Sequence, residues 1–199
     1  MTGITDLSSN THAVRLVTPR LILREHRPED LLPLHAILSD PSATWYLPEL
    51  HKAELCETED YLRTVMQDSE KHLRMRYILA VELEETGALI GSVGLHVIDG
   101  NTEGAHYGLG YFIRPDLWNR GLATEAARAA LDFIFAGNAC RVSAACLAEN
   151  LASRRVLEKC GMRQEGLLKK HTWHDGRWKD CAVYAVLKEE YIGGQSDVP

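Results

Sequence analysis

The chain has 199 residues, 45% of them hydrophobic, and a formal net charge of −6. That length supports one sizeable core in a single domain, the charge argues against non-specific nucleic-acid binding, and no apolar stretch reaches the length of a membrane span. The five cysteines are odd in number and form no C-x-x-C pair, so they read as free buried thiols of a reducing cytoplasm.

Residues 1–13 are too polar for a secretory signal and read as a flexible tail, as do residues 193–199. The folded domain is expected over 14–192. Alternation over 20–24 predicts a strand. Pro28, Glu29 and Asp30 start a helix over 31–38, with proline in its first turn and acids at its positive end. Residues 40–54 hold two prolines and read as a loop, and Thr58 caps a helix through Glu70. Two strands over 76–82 and 88–98 pair about a turn at 84–87. A third, 105–113, follows the Asp99-Gly100-Asn101 turn. A helix to about Phe135, a strand over 141–147, a helix over 151–159 and a hairpin about His174–Arg177 complete the order. Hairpins mixed with crossover helices give an α/β (α+β) fold with a mixed sheet.

The most informative stretch follows the third strand. Trp118-Asn119-Arg120-Gly121-Leu122-Ala123-Thr124-Glu125-Ala126 carries one glycine into an Ala-rich helix. A helix start offers unpaired N–H groups and the positive dipole end, and small residues let an anion approach the backbone closely. The pattern therefore suits a phosphate, although many strand–helix turns hold a glycine for packing alone. No Gly-x-Gly-x-x-Gly and no Gly-Lys-Ser/Thr occurs, which disfavours a general nucleotide-binding domain.

A second motif lies downstream, with Asn150, Ser153, Glu158, Lys159 and Gly161 at Asn-x-x-Ser…Glu-Lys-x-Gly spacing. Together the two stretches resemble the GNAT acyltransferase superfamily, nearest its ribosomal-protein N-terminal (alanine/serine) acetyltransferase branch. There the turn reads Trp-Gly-x-Gly-Tyr-Ala-Thr-Glu-Ala. The opening 16–24 and the close from Glu165 to the strand over 183–187 also fit, so the likeness covers roughly 14–191.

The resemblance implies a mostly antiparallel sheet flanked by helices, with a splayed pair of central strands. It implies acetyl transfer from acetyl-CoA to an amine by direct attack in a ternary complex. The pantetheine arm would pair with Tyr111, Phe112 and Ile113. The pyrophosphate would lie on Asn119, Arg120, Gly121, Leu122, Ala123 and Thr124. Arg120 and Arg114 either reach phosphates or are solvated surface charges. Asn150 matches the residue that bonds the pantetheine arm and is equally a preferred N-cap type.

A thioester is already activated, so the protein must hold a neutral amine, stabilise the oxyanion and protonate the thiolate. Many relatives carry a Tyr seven residues after the Asn; here that place is Leu157. Ser153 then becomes the candidate for the sulfur side, or else a first-turn serine bonded to backbone. The branch often carries a Glu two residues before the Gly110-Tyr111 pair, and here that place is Gly108. His106 and Glu103 are the substitutes, unless they are exposed strand-end residues and water takes the proton. Trp45, Tyr46, His51, Trp173 and Trp178 are expected to line the acceptor pocket. No metal site is read. The acceptor is an amine, a protein N-terminus or a small molecule, and a monomer or homodimer fits equally. The missing Tyr and displaced Glu keep a non-catalytic acyl-CoA-binding module as the rival reading.

Overall fold

The computed structural model describes residues 13–193; residues 1–12 and 194–199, where most of the two expected tails fall, lie outside the described residues. Eight strands form one sheet: β1 (Arg15–Val17), β2 (Leu21–Glu25), β3 (Arg76–Leu83), β4 (Leu89–Gly100), β5 (Ala105–Ile113), β6 (Ala139–Leu147), β7 (Arg163–His174) and β8 (Arg177–Leu187). Their order is β1-β2-β3-β4-β5-β6-β8-β7. Every neighbouring pair is antiparallel except β5 and β6. The helices are α1 (Leu31–Leu38), α2 (Pro41–Thr44), α3 (Leu55–Ser69), α4 (Leu122–Ala136), α5 (Leu151–Lys159) and α6 (Lys188–Gly193). The parallel pair follows from the crossover through α4, because a short turn cannot join parallel strands.

The sheet is covered on both faces. Ala126, Ala127, Ala130 and Leu131 of α4 are fully buried, and their small side chains let the helix lie close to β5 and β6. Leu157 of α5 joins that core. On the other face Leu34, Ile37 and Leu38 of α1 pack with Leu62 of α3. β5 serves both cores: Tyr107, Leu109 and Ile113 face α4, whereas Phe112 faces α1 and α3.

Several local expectations change. The helix expected from Thr58 begins at Leu55, where the Glu54 and Glu57 side chains form a capping box. Thr58 is buried inside it, 2.9 Å from His35 Nδ1. Residues 40–54 are not a plain loop: Asp40 caps α2 and Pro48–Leu50 forms a 3-10 turn, each with proline in its first turn. β6 begins at Ala139, two residues early, because Ala105 N–H already bonds Asn138 O. The cysteines are free, but Cys56 and Cys140 are exposed, so burial holds for Cys160 and Cys181 and only partly for Cys146.

Candidate active site

The splay is visible in the register. β5 pairs with β6 only from Ala105↔Ala139 to Gly108↔Ser143. Ala105 N–H points to β6, donating to Asn138 O, while Arg114 N–H points to β4, donating to Ile90 O. Peptide groups alternate in direction along a strand. Those of Tyr111 and Ile113 therefore face the unpaired gap, and those of Phe112 face β4. The gap brings together two of the three expected strand residues; the Phe112 side chain belongs to the α1/α3 core.

The gap leads to the start of α4. Asn119 and Gly121 both take left-handed backbone, at φ 60° and 77°, and Gly121 is the N-cap. Leu122, Ala123 and Thr124 form the first turn, whose N–H groups have no partner within the helix. Glu125 fixes this turn to the β1–β2 corner. It accepts from Thr18 Oγ1 (2.6 Å), Arg20 N (3.0 Å) and Arg20 Nε (2.7 Å). Burial alone would raise the Glu125 pKa; the bonds from Thr18 and Arg20 outweigh it and hold the carboxyl below its ordinary value. Arg20 Nη1 also donates to Arg120 O at 2.9 Å. A cavity of about 490 Å³ beside the turn is lined by Arg20, Gly121, Thr124, Arg128 and Lys159 among others. Its lining mixes the cations Arg20, Arg128 and Lys159 with the acids Glu125 and Asp132, and Arg20 is paired with Glu125. Arg114 is turned to Asp116, at 2.6 and 3.0 Å, and Arg120 Nη2 donates to Asp116 O at 3.3 Å.

On the α4/α5 side three polar groups meet. Asn150 Oδ1 accepts from Ser153 N at 3.0 Å, so Asn150 is the N-cap of α5. Tyr111 Oη lies 3.0 Å from Ser153 Oγ and 3.2 Å from Ser153 O. Burial pushes the Tyr111 phenol well above its usual value, against the opposing pull of the Ser153 hydrogen bond. The Cys146 thiol is also pushed up by burial, and a hydrogen bond with Ser153 works the other way. Leu157 is 1% exposed and supplies no acid. Arg154 anchors α5 to the sheet by donating from Nε to Tyr184 Oη at 3.0 Å, which fixes where Ser153 stands.

The other two catalytic candidates stand elsewhere. His106 lies in the paired part of β5, its Nε2 2.8 Å from Ser143 Oγ. Burial and then Arg141 lower its pKa. Glu103 is exposed in the β4–β5 turn, its N–H bonded to Asn101 Oδ1. Neither approaches Ser153 by any hydrogen bond of the site.

Of the expected acceptor aromatics, Trp45 and Tyr46 line a cavity of about 340 Å³ with Pro41, Ser42 and Trp118. The Trp118 indole donates to Ile113 O at 2.6 Å, so this wall touches the gap strand directly. His174, not Trp173, braces the loop: its Nε2 donates to Trp45 O at 2.6 Å and its ring is 5.2 Å from that of Trp45. Trp173 and Trp178 pair with each other at 5.5 Å beside the β7–β8 turn, and His51 bonds Thr44. Sequence reasoning missed the Tyr111 hydroxyl and His174, because their contacts, with Ser153 and Trp45, are distant in the chain, and it gave no role to the side chains of Cys146 and Trp118.

Comparison with known proteins bears on the family and the fold. The acetyltransferase (GNAT) domain family matches residues 20–163. The N-acetyltransferase YnaD of Bacillus subtilis, itself uncharacterized, is 32% identical over 180 residues, covering 89% of this chain and 99% of YnaD. A GNAT-family acetyltransferase from Bacillus anthracis has a crystal structure with 30% identity and a TM-score of 0.76, covering 88% of this chain and 99% of that one. The ribosomal-protein-S5-alanine acetyltransferase from Vibrio fischeri is 20% identical, with a TM-score of 0.75 over 89% of this chain and 98% of that one, a likeness of fold.

Proposed function

This chain belongs to the acetyltransferase (GNAT) family and is an acetyl-CoA-dependent N-acetyltransferase, and from that premise we propose how its site works and what it acetylates. The pantetheine arm pairs with the gap-facing peptide groups of Tyr111 and with the N–H of Ile113, whose C=O holds the Trp118 indole, and the pyrophosphate lies on the N–H groups of Leu122–Thr124. The observation that carries this reading is the early end of the β5–β6 pairing at Gly108↔Ser143, which leaves the rest of β5 unpaired on that side ahead of the Gly121 helix start. The acceptor is a protein N-terminal amine, a reading supported by the likeness of the Trp118–Ala126 and Asn150–Gly161 motifs to the ribosomal-protein branch of the family.

The amine attacks the thioester carbonyl directly, in a ternary complex. Ser153 supplies a hydroxyl to the departing sulfur. Tyr111 holds that hydroxyl, since the two oxygens are 3.0 Å apart and a phenol with a raised pKa stays protonated. Asn150 keeps Ser153 in place through the cap and leaves its amide Nδ2 available to the pantetheine arm.

Thiol release from acetyl-CoA with peptides bearing N-terminal alanine or serine, followed by mass spectrometry of the products, tests the reading. Acetylation of the peptide α-amine is the expected result. Ser153→Ala should lower the saturated rate on the order of tenfold or more while the acetyl-CoA-induced rise in Tm persists. An acetyl-CoA-induced rise in Tm without thiol release for any amine would leave a binding module and refute catalysis.

A further inference from the structure

Across the sheet from Ser153, glycines line the inner end of the gap. Gly94 pairs with Gly110 and His96 with Gly108 across β4 and β5. Directly paired residues share a face, and it is the α1/α3 face, because Phe112 two residues beyond Gly110 is packed there. A Cβ on Gly110 would meet nothing within 4 Å, so the floor is open at that point. A Cβ on Gly108 would lie 2.5 Å from His96 Nε2, and its three nearest atoms all belong to the His96 ring. The imidazole therefore fills the space that a side chain at 108 would take. It is exposed, and it stands where β5 parts from β6.

We propose that His96 is the general base of the transfer, receiving a proton from an acceptor amine that enters over Gly110. The proposal rests on the acetyltransferase reading above. A thioester held in the gap then has the imidazole on one face and the Tyr111–Ser153 hydroxyls on the other. As the amine nitrogen bonds to the carbonyl carbon, its proton passes to an imidazole nitrogen. The C–S bond then breaks with its electron pair on sulfur, and the thiolate takes a proton on the Ser153 side. A neutral imidazole offers a ring nitrogen that can take a proton, and the exposure of His96 lets that proton leave to water. His106 is a poorer base, its Nε2 being engaged with Ser143.

The charged neighbours are known. Arg76 is the partner of His96 on β3, and it is tied to Asp68 of α3. Asp99 follows on β4, and His106 on β5 stands with Arg141 and Glu165 beyond it.

The test compares wild type, His96→Ala and the double variant His96→Ala/Gly108→Glu. Thiol release from acetyl-CoA is followed with an N-terminal seryl peptide, spermidine or water alone as acceptor. Removing the ring leaves room for the new side chain, and the double variant puts a carboxylate into the same space. His96→Ala should lose about 10²-fold in rate at neutral pH and lose the rise of rate with pH through the imidazole range. Its acetyl-CoA-induced Tm rise should stay intact. The double variant should regain part of the rate, with its pH midpoint moved down to the carboxylate range. A His96→Ala rate within twofold of wild type, or a loss that the added carboxylate leaves unrestored, overturns the proposal. A wild type that releases thiol with neither amine above the water control overturns the acceptor reading beneath it, so the two failures are distinct.

Discussion

Gly121→Glu probes the phosphate cradle most directly. Gly121 sits at φ 77°, where an L side chain costs roughly 1–2 kcal/mol. A Cβ there would meet Arg20 Nη2 at 3.6 Å, an ordinary contact, so no clash adds to the strain. A carboxylate at the positive end of α4 offsets about 0.3–1 kcal/mol. The net loss is about 1 kcal/mol, which for a chain of this size lowers Tm by roughly 2–4 °C. The variant is therefore expected to fold. Acetyl-CoA at a hundredfold excess over its Kd stabilises wild type by about 2.7 kcal/mol, on the order of 5–10 °C. Gly121→Glu should erase that rise, since its carboxylate meets the pyrophosphate with like charge on the same N–H groups. Gly121→Ala carries the same backbone strain without the charge and should keep most of the rise. Thermal denaturation with and without acetyl-CoA measures all three proteins. A folded Gly121→Glu protein with the full wild-type rise would refute the cradle.

Two further perturbations separate binding from stability. Asn150→Asp keeps an acceptor for Ser153 N–H, so Tm should hold, but it removes the Nδ2 donor and should weaken acetyl-CoA binding in a calorimetric titration; wild-type affinity would leave the cap as its only role. Asp30 is 2% exposed, and although burial raises its pKa, the bonds from Arg24, His26 and Arg27 N–H outweigh burial and hold it well below the carboxylate range. A depressed folded pKa stabilises above the unfolded value of ~3.9 and loses that contribution as pH falls through it toward the folded value. Acid unfolding should therefore be flatter below about pH 4 in Asp30→Asn than in wild type, and parallel curves would refute the linkage.

The central elements were legible because local chemistry and tertiary context agree there. Leu151–Lys159 is bounded by an Asn N-cap and a glycine just past its end, and the structure begins and ends the helix at those residues. The Asp175-Gly176 turn of the last hairpin takes left-handed backbone at both residues, as that dipeptide favours. Failures came where an uncommon residue took a common role. Glu54 is not a preferred N-cap type, so the start of α3 was assigned to the threonine that follows.

The site was legible along the chain and illegible across it. The Gly121 turn and the Asn150–Ser153 pair are each local: Gly121 caps α4 in left-handed backbone, and Asn150 Oδ1 accepts from the Ser153 N–H. Tyr111 was read for its backbone alone, since its hydroxyl meets Ser153 42 residues away. His96 was hidden for a sharper reason. The Asp99-Gly100-Asn101 turn suggested a hairpin centred there, whereas β4 runs on to Gly100 and pairs it with Ala105. A bulge between Val97 and Asp99 then shifts the register by one residue. In a strand a one-residue shift exchanges the two faces. That bulge is what sets His96, rather than its neighbours, opposite Gly108. A sequence missing its expected carboxylate can still carry a base at the same place, delivered from the adjoining strand.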